Sequence, residues 1–137
     1  MPADLLGLLG SWWFDRRLLD RRADLAGCVH GTLTITPDGD GLRWHESGEM
    51  TWAGRTFPAT RTLRASCRGK EWWLDFADGR PFHPWRPGEW VTHPCAADTY
   101  RGRVEIGNED RWRITWEVTG PAKDQLLITR LRRPSTR

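Results

Sequence analysis

Hydrophobic and polar positions alternate along most of this chain with a period of two, the pattern of half-buried strands rather than helices. Between Trp12 and Leu18, the residues Trp12, Phe14, Arg16 and Leu18 share one face, and Trp13, Asp15 and Arg17 share the other. Aromatic residues on both faces predict a strand covered on both sides. Cys28 to Thr36 is a β-branched, alternating run that ends at Pro37. The turn Pro37-Asp38-Gly39-Asp40-Gly41 follows. Its glycines supply positive φ and its aspartates favour local turns, so a hairpin is expected there. From Leu42 to Trp52 the set Leu42, Trp44, Glu46, Gly48, Met50 and Trp52 falls on one side. That side is apolar enough to face inward, and it carries Glu46 with it.

Ala53-Gly54 turns the chain into Thr56 to Ala65, where Phe57, Ala59, Arg61 and Leu63 line one face. Glu71 to Phe76 is a further strand, and Asp78-Gly79 is a second hairpin turn toward Arg80-Pro81-Phe82-His83. Two prolines, a tryptophan and a glycine make Pro84 to Gly88 an irregular rim loop. Alternation resumes at Tyr100, Gly102, Val104 and Ile106, so Asp98 and Tyr100 point to the same side of a sheet. Trp112 to Thr119 and Gln125 to Leu131 complete the set. At the other end, Leu5, Leu6, Leu8 and Leu9 within Ala3 to Leu9 suit a short N-terminal helix acting as a plug or lid.

Eight to ten short strands at regular spacing predict an all-β fold, an antiparallel barrel or sandwich, with closure into a single up-and-down barrel the more economical solution. A barrel of that strand number holds side chains or one small ligand. One domain over residues 1–133 is expected, with a flexible tail over 134–137.

Composition narrows the function classes. The chain has 137 residues, ten of them tryptophan, and a net charge of +3. That many aromatic residues argue against disorder, and no block of basic residues stands apart from acidic ones, which argues against nucleic acid as a partner. Lys70 and Lys123 are the only lysines, and the arginine bias reflects coding composition more than function. Cys28, Cys67 and Cys95 have no close pair, and neither a signal peptide nor a membrane-spanning run is evident. A cytoplasmic protein with reduced thiols is the expectation, without membrane association, as a monomer or homodimer.

Two sets of residues carry a family resemblance. Gly10-Ser11-Trp12 beside an N-terminal helical segment is similar to the G-x-W opening of lipocalins and related calycin barrels. In those barrels the tryptophan packs near the closed end under an arginine from the last strand, which implies that role for Arg130 or Arg132. A wider set resembles a lipocalin-like family of unknown function. It comprises Trp12, Arg16, Trp44-x-Glu46-x-Gly48, Arg61, Phe76-x-Asp78-Gly79-Arg80-x-Phe82-His83, His93-x-Cys95-x-x-Asp98-x-Tyr100-x-Gly102 and Trp116-x-Val118-x-Gly120-Pro121-x-Lys123-Asp124. The resemblance implies the barrel and offers no reaction.

The densest chemistry lies in His93-Pro94-Cys95-Ala96-Ala97-Asp98-Thr99-Tyr100, which gathers an imidazole, a thiol, a carboxylate and a phenol. With Glu46, these make His93, Cys95, Asp98 and Tyr100 the candidate catalytic groups. Arg16, Arg61, His83, Trp44, Trp85 and Trp116 are the candidate ligand-binding groups, arginines for a carboxylate or carbonyl and aromatics for walls. Two readings stand side by side. One is a cofactor-independent enzyme of the isomerase, cyclase or hydratase kind, moving protons in a biosynthetic pathway. The other is a non-catalytic small-molecule barrel, with haem held by a histidine as one option. In either, the arginines and carboxylates can instead form a self-satisfied network that fixes strand register. No metal site is predicted, because the spacing of His83, His93, Cys95 and Asp98 matches no zinc pattern.

Overall fold

A computed structural model describes residues 4–134. The N-terminal Met1 to Ala3 and the residues 135–137 of the expected tail lie outside the described residues. Ten antiparallel strands follow one another in a single meander: β1 (Gly10–Asp20), β2 (Leu25–Asp38), β3 (Gly41–Trp52), β4 (Arg55–Arg68), β5 (Glu71–Phe76), β6 (Pro81–Pro84), β7 (Trp90–Cys95), β8 (Asp98–Asn108), β9 (Arg111–Thr119) and β10 (Asp124–Arg132). Their order in the sheet is β6-β5-β4-β3-β2-β1-β10-β9-β8-β7. The ladder from β1 to β10 pairs the two ends of the chain, with Trp13 opposite Arg132 and Asp20 opposite Gln125. β6 and β7 lie side by side without a ladder, so the barrel is nearly closed. This is the antiparallel up-and-down barrel that the periodicity predicts, and the one that the lipocalin resemblance implies.

The expected N-terminal helix is a single 3-10 turn over Leu5–Leu8, begun by the Asp4 side chain accepting from the Leu6 N–H. It plugs one end of the barrel. Leu5 and Leu8 are buried there, and the Trp12 indole N–H donates to the Leu8 carbonyl at 2.8 Å. Around that plug Trp12, Trp44, Trp85 and Trp112 pack edge to face, with centroids 5.6–6.1 Å apart. Such edge-to-face contacts align each ring's positive rim with its neighbour's negative face. The cation over Trp12 is Arg133, 3.8 Å from the ring, whereas Arg130 and Arg132 lie on the exposed face of β10. The arginine role that the lipocalin resemblance implies therefore falls one residue later, because inward and outward positions alternate along the strand.

The expectation that β1 is covered on both faces does not hold: Trp13 is 45% exposed. Its neighbour is the Arg132 guanidinium, 4.7 Å above the ring, not another layer of protein. Gly31 on β2 faces Gly48 on β3, and a Cβ on either would collide with the backbone opposite. That close approach lets the two long strands coil around the core.

The strands differ in length, and this shapes the open end. β4 continues to Arg55, but β5 covers only Leu63 to Arg68 of it. Residues 55–62 of β4 thus have a ladder partner on one side alone, so the ladder has a notch beyond Phe76 at the end of β5, where His93 of β7 packs.

Candidate functional site

Three polar or aromatic groups line the interior between the tryptophan layer and the open end. The first is built on Glu46. Inward parity on β3 brings its side chain into the barrel, where it is 4% exposed. Arg16 on β1 donates to Oε1 at 3.0 Å, Arg61 on β4 donates to Oε2 at 2.8 Å, and the Trp44 indole N–H donates to Oε2 at 3.0 Å. Arg16 is held further by Thr129 on β10, whose hydroxyl accepts from Nε at 2.8 Å. Burial would raise the Glu46 pKa, but the Arg61 and Arg16 guanidiniums outweigh it and hold the carboxyl down to about 2. Glu46 is therefore a fixed anion.

The two cations are not equally satisfied. Arg61 remains 40% exposed along its side chain, yet its Nε is buried and has no partner among the described residues. Two guanidiniums share one carboxylate, so this layer holds one positive charge in excess.

The second group is an aromatic stack. Phe76 and Phe82 stack at 4.6 Å, and Phe82 and Trp116 at 5.1 Å. Gly102 lies beneath Trp116, where a Cβ would come within 2.7 Å of the indole ring. His83 packs edge-on against Phe82 and Trp116 and is 4% exposed. Its Nδ1 lies 2.7 Å from the Pro84 carbonyl, which can only accept, so Nδ1 carries the proton and Nε2 is a lone pair. Desolvation lowers the His83 pKa to about 4, opposed by the bond to Pro84 and reinforced by the nearby charges of Arg61 and His93. It is a neutral imidazole at physiological pH.

The third group closes the notch from the β7–β8 side. His93 packs against Phe76, Phe82 and Tyr100, with centroids 5.3–6.0 Å away. Lys123, from the β9–β10 turn, lies 3.2 Å from Asp98 and 6.0 Å from the Tyr100 ring centroid. At the mouth, a cavity of about 170 Å³ is bounded by Leu18, Met50, Trp52 and Leu127.

The structure thus brings together Arg16, Arg61, Glu46 and Trp44 in one layer, and His83, His93, Tyr100 and Trp116 beside it. Asp98 joins them through Lys123, which it meets at 3.2 Å and which lies over the Tyr100 ring. Cys95 is exposed at the hairpin tip, and Trp85 is buried in the tryptophan layer near the plugged end. The rim loop Pro84 to Gly88 therefore belongs to the closed end, held by Trp85 N–H to the Trp72 carbonyl. Sequence reasoning singled out neither Phe76 and Phe82 as a stack nor Thr129 as the second anchor of Arg16. Both phenylalanines stand on inward positions flanking the Asp78-Gly79 turn, the signal that points to them. Among the described residues, no three His, Cys, Asp or Glu side chains converge as a metal site would require. No helix among them is long and apolar enough to cross a membrane.

Residues 8–133 match the model of a family of unknown function, DUF6314. The chain belongs to that family. No curated protein matches this DUF6314 member. Among solved structures it is similar to an S-type phycobiliprotein lyase, CPES, from Guillardia theta. The TM-score is 0.69 at 10% identity, covering 100% of this chain and 95% of that one. A DUF3598-family protein of unknown function from Nostoc punctiforme is similar with a TM-score of 0.66 at 14% identity, covering 97% of this chain. The match spans 50% of that second protein. At these identities the likeness is one of fold.

Proposed function

We propose that the protein binds a small molecule bearing a carboxylate or carbonyl group, taken in at the notch between β4 and the β7–β8 hairpin. The acid or carbonyl meets Arg61 and Arg16, and the unsaturated or apolar remainder lies along Phe76, Phe82 and Trp116. One observation carries this reading: two guanidiniums share the single carboxylate of Glu46 while the buried Nε of Arg61 has no partner. A buried unpaired donor and an excess charge are costly without an acceptor, and an anionic ligand supplies one. Glu46 then acts as the post that holds both guanidinium forks in place.

A second reading has its own observation. His83 is neutral and its Nδ1 proton is fixed on Pro84, which leaves Nε2 with a lone pair. Such a base beside a bound acid suits cofactor-independent proton transfer, as in an isomerase, cyclase or hydratase, with His93 and Tyr100 as the proton-returning groups. Asp98 and Cys95 stand further out along the same hairpin. Glu46 contributes to this chemistry by position alone.

The binding experiment is a fluorescence titration with anilinonaphthalene sulfonate, an acidic aromatic dye, and its displacement by naphthoate. Wild type binds the dye, and Arg61→Met weakens binding at least about tenfold, the loss of one charge-assisted contact. Equal affinity in the two proteins would refute the arginine role. Incubating naphthoate and related keto acids in heavy water separates the readings: deuterium entering carbon positions marks proton transfer, and none marks binding alone.

A further inference from the structure

A broad concavity lies outside the barrel, a groove of about 950 Å³ along β2, β1, β10, β9 and β8. At its centre Arg132 on β10 stands directly opposite Arg111 on β9, and Arg130 opposite Arg113. All four side chains are exposed and point outward, since Leu131 and Trp112 between them point in. Like charges placed opposite each other in a ladder oppose its formation, and here two such pairs adjoin. Two carboxylates flank the square: Glu105 accepts from Arg113 at 2.9 Å, and Asp15, opposite Arg130 in the β1–β10 ladder, lies 3.4 Å from Arg17 and 3.7 Å from His30. Among the described residues Arg111, Arg130 and Arg132 form no ion pair. Trp13 borders the square, under the Arg132 guanidinium.

We propose that this arginine square is a second binding site, for a small molecule carrying two or more linked phosphates. Guanidinium forks match phosphate oxygens two at a time, and a ligand spanning both rows turns two repulsive pairs into bridged ones. A concave groove of this volume suits a small ligand. The site is separate from the barrel interior and does not rest on the acid-binding reading.

The test uses inorganic tripolyphosphate as probe, read by the thermal unfolding midpoint and by tryptophan fluorescence with Trp13→Phe as the assignment control. Tripolyphosphate raises the midpoint of the wild-type protein. The double variant Arg111→Gln/Arg132→Gln loses most of that rise and binds at least about tenfold more weakly. Without ligand the double variant is as stable as wild type or more so, because a repulsive pair has gone. Arg43→Gln/Arg55→Gln, at exposed positions elsewhere, keeps the response. The proposal is overturned if tripolyphosphate has no effect, if both double variants lose the response equally, or if the ligand-free Arg111/Arg132 variant is destabilised. Saturation by a single-stranded oligonucleotide at concentrations where tripolyphosphate is unbound would also overturn it, in favour of a nucleic-acid surface.

Discussion

At the residue scale, Glu46 and His83 set the electrostatics of the interior, and each makes a prediction. Replacing Glu46 by Gln keeps its shape but leaves Arg16 and Arg61 without an anion. Breaking one side of a buried pair costs on the order of 3 kcal/mol, so Glu46→Gln should lower the unfolding free energy from urea titration by that amount. His83 takes a proton near pH 6.5 when unfolded and only near pH 4 in the folded protein. Between those values the unfolded chain binds more protons, so stability is complete above pH 6.5 and falls on acidification until about pH 4. The gap is worth roughly 3 kcal/mol. Urea titrations at several pH values should show this acid limb in wild type and a flatter one in His83→Gln; identical limbs would remove His83 as the cause. Glu46 was legible in the sequence as an inward residue, because the alternation on its strand is unbroken. Its donors Arg16, Arg61 and Trp44 were legible as candidates, but not which arginine meets which oxygen, since Arg16 and Arg61 approach from other strands and register across strands is set by the whole barrel. The lone pair on His83 was equally hidden, depending on one carbonyl of the next residue.

At the element scale, unequal strand lengths decide where the interior meets solvent. The sequence shows hairpin turns clearly at Asp38 to Gly41 and Asp78-Gly79, and both appear where expected. Strand ends are less legible: β1 and β2 run to Asp20 and from Leu25, past the alternating cores of the two segments, because ladder partners recruit flanking polar residues. β7 contains Pro94, which a central strand would reject; it is tolerated because β7 is the last strand of the sheet. The contribution of Gly102 on β8 is space for Trp116. Gly102→Val should push that indole into Phe82, cost roughly 2 kcal/mol as an overpacked core does, and reduce dye binding in step. A variant with wild-type stability and dye affinity would show that the stack is not part of the site.

At the scale of the whole molecule, the barrel has a closed end, plugged by Leu5–Leu8 and four tryptophans, and an open end with a notch in its wall. Apolar packing is concentrated at the first and polar chemistry toward the second. A stable scaffold therefore surrounds a layer whose charges are incompletely matched, as expected where binding rather than stability decides residue choice. Periodicity alone was enough to read the architecture. The outer arginine square was not legible, since arginines spaced two apart on separate strands look like an ordinary solvated face until the register of β9 against β10 sets them opposite each other.

The central claim is that an acid-bearing molecule enters the barrel and meets Arg61 and Arg16. The most direct measurement is an NMR titration of the ten tryptophan indole N–H signals with naphthoate. The account predicts shifts at Trp44, which shares Glu46 with both arginines, and at Trp116 in the stack, with Trp13 on the outer face unmoved. Shifts confined to Trp13, or none at Trp44 and Trp116 at saturating ligand, would contradict it.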